Sequence, residues 1–188
     1  KAGDALSQTK RQAGTGCGQP RPPRVIFDGI DTEVVAPKPD AFIRLTRDNL
    51  QLRESDEVIT FVNRNLEPYR GFHVFMRALP HILKERPNAH CLIVGRNDVS
   101  YGPRPKGAEN WRQVMLREVG AQLPMERVHF LGHLSYPNYL LAIQISTCHV
   151  YLTYPFVLSW SCLEAMSAGR VVVASNTGPV REVIENGV

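Results

Sequence analysis

The stretch VITFVNRNLEPYRGFHVF, residues 58–75, predicts the fold of this chain. Its first five residues form a short apolar run of the kind found in strands that are buried on both faces. From Phe72 onward, apolar residues recur at intervals of three and four, which indicates an amphipathic helix. Residues 63–71, rich in polar and turn-forming types, connect the two. A strand that passes through a loop into a helix is the repeating unit of an α/β fold.

The same pattern repeats four more times along the chain. Further strands are predicted at 91–94, 128–131, 149–153 and 171–174, and helices near 109–122, 138–145, 161–168 and after Pro179. We therefore predict one Rossmann-like domain over residues 25–188, with a parallel sheet and helices on both faces. Ligands of such sheets bind at the carboxyl ends of the strands.

Two segments before this alternation have weaker patterns. Residues 25–27, VIF, predict a short strand, and residues 41–54 are expected to form a surface helix. Residues 1–24 hold few large apolar side chains, so their burial cannot offset the entropy lost on ordering. We predict that residues 1–24 are a flexible basic arm or linker.

The net charge of +4 is concentrated in that arm, which holds five basic residues and one acidic residue. The rest of the chain carries 17 basic and 17 acidic side chains. A nucleic-acid-binding domain carries its excess positive charge on a folded face. We therefore expect no nucleic-acid partner.

Cysteine and histidine usage predicts no metal or redox site. None of the four cysteines forms a C-x-x-C pair, and His129 and His133 are separated by a predicted strand end rather than sharing a helix face. Cys91 and Cys148 lie in apolar runs and are expected to be buried thiols, which fits a reducing, cytoplasmic location. The sequence contains no run of eighteen apolar residues and no signal-peptide core at its start.

The loop after the first predicted strand of the alternation carries two arginines, Arg64 and Arg70, at the entry to a helix. Helix N-termini offer free N–H groups and a partial positive charge, and guanidinium groups bind phosphate through two hydrogen bonds. This combination indicates a diphosphate site. The alternative is a pair of solvated arginines near Glu67.

The loop after the fourth strand of the alternation leads into a second helix of interest. Ser159 is a candidate N-cap, and Glu164 lies just over a turn further along. A carboxylate at that place could accept hydrogen bonds from two vicinal ribose hydroxyls. The alternative is a surface glutamate on the polar face of the helix.

Several motifs occur in an order that is typical of one family. They are DGIDT at 28–32, Arg64 with Arg70-Gly71, LIVG at 92–95, VHFLG at 128–132, LEAMSAG at 163–169 and NTGPVREVI at 176–184. From Asp28 onward the chain resembles the C-terminal, donor-binding domain of retaining glycosyltransferase family 4, which has the GT-B fold.

This resemblance implies a nucleotide-diphosphate sugar as the donor substrate, with no metal or cofactor. Arg64 and Arg70 would hold the diphosphate, Glu164 the ribose, and the loop at His133 and Leu134 would pack against the base. The donor-binding residues expected from the motifs are Arg64, Arg70, Gly71, Gly95, His133, Leu134, Ser159, Ser161 and Glu164.

The resemblance also sets expectations about the whole enzyme. A GT-B enzyme has a separate N-terminal acceptor domain, so we expect this chain to be truncated at both ends and inactive in sugar transfer on its own. The family leaves open a peripheral membrane association of the full-length enzyme. No certain catalytic residue is assigned within this chain.

One position departs from the family pattern. The family has a glutamate eight positions before the one that corresponds to Glu164, and here Phe156 takes its place. This departure leaves open a non-catalytic nucleotide-binding or interaction module derived from the same fold. A dehydrogenase is disfavoured because no G-x-G-x-x-G follows any predicted strand.

Overall fold

The computed structural model describes residues 28–45, 49–154 and 157–187. The predicted arm at 1–24, the predicted strand at 25–27 and Phe156 lie outside these described residues. The strands are β1 (Phe42–Leu45), β2 (Leu50–Arg53), β3 (Val58–Asn65), β4 (His90–Arg96), β5 (Val128–Gly132), β6 (Cys148–Tyr151) and β7 (Val171–Ala174). The α-helices are α1 (Phe72–Glu85), α2 (Trp111–Val119), α3 (Tyr136–Gln144), α4 (Trp160–Ser167) and α5 (Gly178–Arg181).

Strands β3 to β7 form the predicted parallel sheet, in the order β5-β4-β3-β6-β7. The chain moves outward from β3 in one direction through β4 and β5, and then returns to the other side of β3 with β6. The order of the strands therefore reverses between β3 and β6. In open α/β sheets, the crevice at such a reversal is the usual ligand site.

Both faces of the sheet are covered, which explains why its central strands are almost wholly apolar. On one face, α1 packs Phe75 against Phe61 of β3, with the rings stacked at a centroid distance of 4.5 Å. On the other face, Ala165 of α4 and Ile143 of α3 pack against Val62 and its neighbours. The α/β fold, the parallel sheet and the five predicted strands within it are confirmed.

The predicted helix at 41–54 is wrong: the described part of this segment is an antiparallel hairpin of β1 and β2. Ile43 lies opposite Leu52, and Leu45 opposite Leu50, so alternate residues face the core. Leu45 and Leu52 are buried, whereas Phe42 is exposed with Arg53 over its ring. A period of two, rather than the helical period, thus governs the apolar side chains of this segment.

A small polar network is buried between β3 and β6. His149 is fully buried, and its Nδ1 lies 2.9 Å from Oγ1 of Thr60, which in turn lies 2.9 Å from Oγ of Ser146. Within the described residues, Nε2 of His149 has no hydrogen-bond partner. Burial lowers the pKa of His149 to about 4.

This pKa predicts a stability loss on acidification. Between the ordinary histidine pKa of 6.5 and about 4, only the unfolded state binds the proton. The contribution of neutral His149 is therefore complete above pH 6.5 and decreases as the pH falls, by about 1.4 kcal/mol per pH unit. We expect urea denaturation from pH 7 to 5 to show a steeper loss for the wild type than for His149→Gln. Exposed His81→Gln should keep the wild-type slope, and equal slopes in all three proteins would contradict this account.

Candidate functional site

The loop between β3 and α1 places its two arginines near the carboxyl edge of the sheet. Arg64 is exposed and precedes the last residue of β3. Arg70 ends a short 3-10 turn, Pro68–Arg70, immediately before the N-cap of α1. Its guanidinium carbon lies 5.1 Å from the ring centroid of Tyr101. This cation–π contact restrains the orientation of the guanidinium group.

Gly71 brings this loop against the chain that leaves β6. Its φ of 73° is in the left-handed region, and a Cβ at this position would collide with the side chain of Leu152. Close by, the N–H of Tyr154 donates to the carbonyl of Tyr69 at 3.4 Å, and the two rings meet edge to face at 5.4 Å. The loops after β3 and β6 are therefore in direct contact, at the point where the order of the strands reverses.

Glu67 binds a third loop, the one after β4, next to the loop between β3 and α1. It is 1% exposed, and its carboxylate accepts the backbone N–H groups of Ser100, Tyr101 and Gly102 at 3.1 to 3.2 Å. This contact holds the loop after β4 beside Arg70. Glu67 is thus buried and bound to that loop, whereas Arg64 is exposed. Sequence reasoning missed its role, since the only available signal was an acidic residue between the apolar Leu66 and a proline.

The start of α4 confirms Ser159 as the N-cap residue, but its side chain makes no capping hydrogen bond. Instead, its Oγ lies 3.2 Å from Oγ of the buried Ser161. The N–H of Ser159 donates to the hydroxyl of Tyr151 at 3.0 Å. Burial raises the pKa of Tyr151, and the Ser159 N–H and the charge of Arg70 oppose that rise.

Glu164 lies on α4 and is not a surface residue. It is 4% exposed, and it accepts hydrogen bonds from the hydroxyl groups of Tyr136, at 3.0 Å, and Tyr139. Burial, together with these bonds to Glu164, raises the pKa of both tyrosines. Both phenols are therefore protonated donors at neutral pH.

The remaining residues of the predicted donor-binding set, His133, Leu134 and Gly95, differ in burial. His133 is exposed, whereas Leu134 packs between the apolar clusters beneath α3 and α4 and also lines a cavity of about 880 Å³ along β5. Gly95 is buried, and a Cβ on it would lie 2.8 Å from the carbonyl oxygen of Asn63. Close packing against β3 therefore accounts for this glycine without a ligand.

His129, which lies in β5, pairs with another histidine. Its Nε2 lies 3.1 Å from Nδ1 of His90, and the two rings stack at 5.3 Å. Across residues 28–45, 49–154 and 157–187, no group of three or more His, Cys, Asp or Glu side chains is arranged to hold a metal ion. The helices in those ranges are all too short or too polar to cross a bilayer.

Comparison with known proteins identifies the family. The sequence profile of the family described as "Glycosyl transferases group 1" matches residues 42–188. The chain is similar to phosphatidyl-myo-inositol mannosyltransferase of Mycolicibacterium smegmatis, with 30% identity over 134 residues, 69% of this chain and 30% of that protein. It is also similar to an uncharacterized glycosyltransferase of Methanocaldococcus jannaschii, with 29% identity over 76% of this chain and 33% of that protein. The chain thus spans about a third of the length of these relatives.

Structural similarity supports the same fold. The C-terminal domain of a group 1 family glycosyltransferase from Francisella tularensis superimposes with a TM-score of 0.63 at 18% identity, covering 84% of this chain and 76% of that domain. The parallel sheet described above therefore matches the C-terminal Rossmann-like domain of the GT-B fold.

The anchoring role of Glu67 leads to a test. In Glu67→Gln, one carboxylate oxygen is replaced by an NH₂ group that faces N–H donors, so the free energy of unfolding should fall by about 1–3 kcal/mol. The amides of Ser100, Tyr101 and Gly102 should exchange hydrogen faster. The control is Asp98→Asn, which weakens an exposed ion pair with Arg104 in the same loop. Unchanged exchange at the three amides in Glu67→Gln would show that Glu67 does not hold the loop.

Proposed function

Because this chain belongs to the group 1 glycosyltransferases, we propose that it is the donor-binding domain of a retaining enzyme. Its ligand is a nucleotide-diphosphate sugar, with UDP or GDP as the nucleotide. The full enzyme transfers the sugar to an acceptor hydroxyl with the help of a separate N-terminal domain. We place this enzyme in the cytoplasm, where the free thiols of Cys91, Cys148 and Cys162 are compatible with the reducing conditions.

The observation that carries this proposal is the contact between the loops after β3 and β6. Gly71 packs against Leu152, and the N–H of Tyr154 donates to the carbonyl of Tyr69, so the arginine loop lies in contact with the residues that follow β6. Each loop was predicted separately to bind a different part of a nucleotide. Their contact at the switch point supports binding of a single ligand across both.

The diphosphate is assigned to the arginine loop. Arg70 precedes the N-terminus of α1, a helix of 14 residues whose first-turn N–H groups carry partial positive charge. Arg64 adds a second guanidinium from the end of β3. A diphosphate leaving group gains negative charge as the sugar is transferred, so fixed positive groups around it stabilise the transition state.

The nucleoside is assigned to α4 and the loop after β5. Glu164 accepts the ribose hydroxyls, Ser159 and Ser161 line the start of the same helix, and the base lies near His133 and Leu134. The chain's contribution to catalysis is to position the anomeric carbon for attack by the acceptor hydroxyl and to neutralise the departing diphosphate.

The arginine assignment predicts a specific loss of binding. Two charge-assisted hydrogen bonds disappear in the Arg64→Ala, Arg70→Ala double variant, so UDP and GDP should bind at least roughly 100-fold more weakly. Calorimetric titration measures this difference in affinity. The control double variant, Arg77→Ala with Lys84→Ala, removes the same charge from exposed positions on α1 and should bind as the wild type does. Similar affinities for the two folded double variants would refute the assignment.

A further inference from the structure

Two tyrosines of α3 hold the carboxylate of Glu164. Tyr136 and Tyr139 lie in the first turn of α3, three residues apart, so their side chains project from the same face of the helix. Their ring centroids are 5.9 Å apart. One hydroxyl donates to each carboxylate oxygen, Tyr136 to Oε1 and Tyr139 to Oε2. Glu164 is therefore already engaged on both oxygens before any ligand arrives.

The two tyrosines differ in their surroundings. Tyr136 is 51% exposed, at the rim of the domain. Tyr139 is partly buried and packs against the apolar cluster that includes Val62, Val94 and Ala165. If the hydrogen bond between Tyr136 and Glu164 broke, the hydroxyl of Tyr136 could bond to water instead. The hydroxyl of Tyr139 has apolar neighbours, so an unpaired donor there would be costly.

A ribose that binds Glu164 needs room at the carboxylate for two hydroxyl donors. A carboxylate can accept about four hydrogen bonds, two on each oxygen. Glu164, however, is only 4% exposed, so little of that capacity is open to solvent. One of the two phenols must therefore yield its position, and the exposed one can do so at the lower energetic cost.

We propose that Tyr139 is a positioning residue that fixes Glu164, and that Tyr136 occupies the place of a ribose hydroxyl and is displaced by it. This inference rests on the proposed function, because it assigns the ribose of the donor to Glu164. The hydrogen bond from Tyr139 to Glu164 is retained in the complex, whereas the bond from Tyr136 is exchanged for one from a ribose hydroxyl.

Opposite effects of two isosteric substitutions test the proposal. The measured quantity is the affinity for UDP or GDP divided by the affinity for inorganic pyrophosphate, which has no ribose. Tyr139→Phe frees Glu164 to rotate and should lower this ratio roughly tenfold. Tyr136→Phe removes the competing donor and should raise the ratio about two- to tenfold. Each variant keeps its ring and serves as the control for the other.

Two further measurements separate this mechanism from a purely structural link between α3 and α4. In a Glu164→Ala background, neither tyrosine substitution should change the ratio, because both act through the carboxylate. With 2′,3′-dideoxy UDP, which offers no ribose hydroxyl, Tyr136→Phe and the wild type should bind equally. A structural link predicts instead that both substitutions lower stability and leave the ratio unchanged.

These binding measurements distinguish failure of the tyrosine roles from failure of the proposed donor site. Absence of nucleotide binding by the wild type would overturn the donor-site assignment, and this inference with it. Nucleotide binding that depends on Glu164, but changes in the same direction for Tyr136→Phe and Tyr139→Phe, would overturn this inference alone. Binding that is insensitive to Glu164→Ala would remove both the ribose assignment and the role of the tyrosines.

Discussion

The close approach of Gly71 to Leu152 is the contact on which the rest of the site depends. The parallel pairing of β3 with β6 brings the ends of these strands together, and only a residue without a Cβ leaves room for the two loops to touch. From the strand that precedes Leu152, the hydroxyl of Tyr151 accepts the N–H of Ser159, the N-cap residue of α4. Residues 69–71 and 152–154, which are more than 80 positions apart in sequence, thus lie in contact.

Two buried glutamates organise the elements around this edge, and both are held by neutral donors. Glu67 binds three backbone N–H groups and fixes the loop after β4, whereas Glu164 binds two phenols and joins α4 to α3. These donors are all uncharged, so none of these contacts occupies an arginine side chain. This arrangement suits a site that pairs guanidinium groups with a phosphate and a carboxylate with sugar hydroxyls.

The sequence predicted the features that depend on local periodicity. The five parallel strands, the apolar face of α1 and the N-cap at Ser159 follow from patterns within a few residues. The hairpin of β1 and β2 was mistaken for a helix because its short strands show too few alternations to exclude a helical period. The environments of Glu67 and Glu164 could not be predicted, since their partners are 33 to 35 and 25 to 28 residues away. Such contacts arise only from the packing of whole loops and helices.

The central claim is that one nucleotide spans the loops after β3 and β6. Backbone amide chemical shifts, recorded by NMR during titration with UDP and with GDP, test it most directly. With the nucleotide that binds, the account predicts saturable shifts in two groups, residues 64–72 and 159–164, that follow a single binding curve. Shifts confined to the cavity along β5, around Phe130 and Arg112, would place the nucleotide elsewhere and contradict the claim.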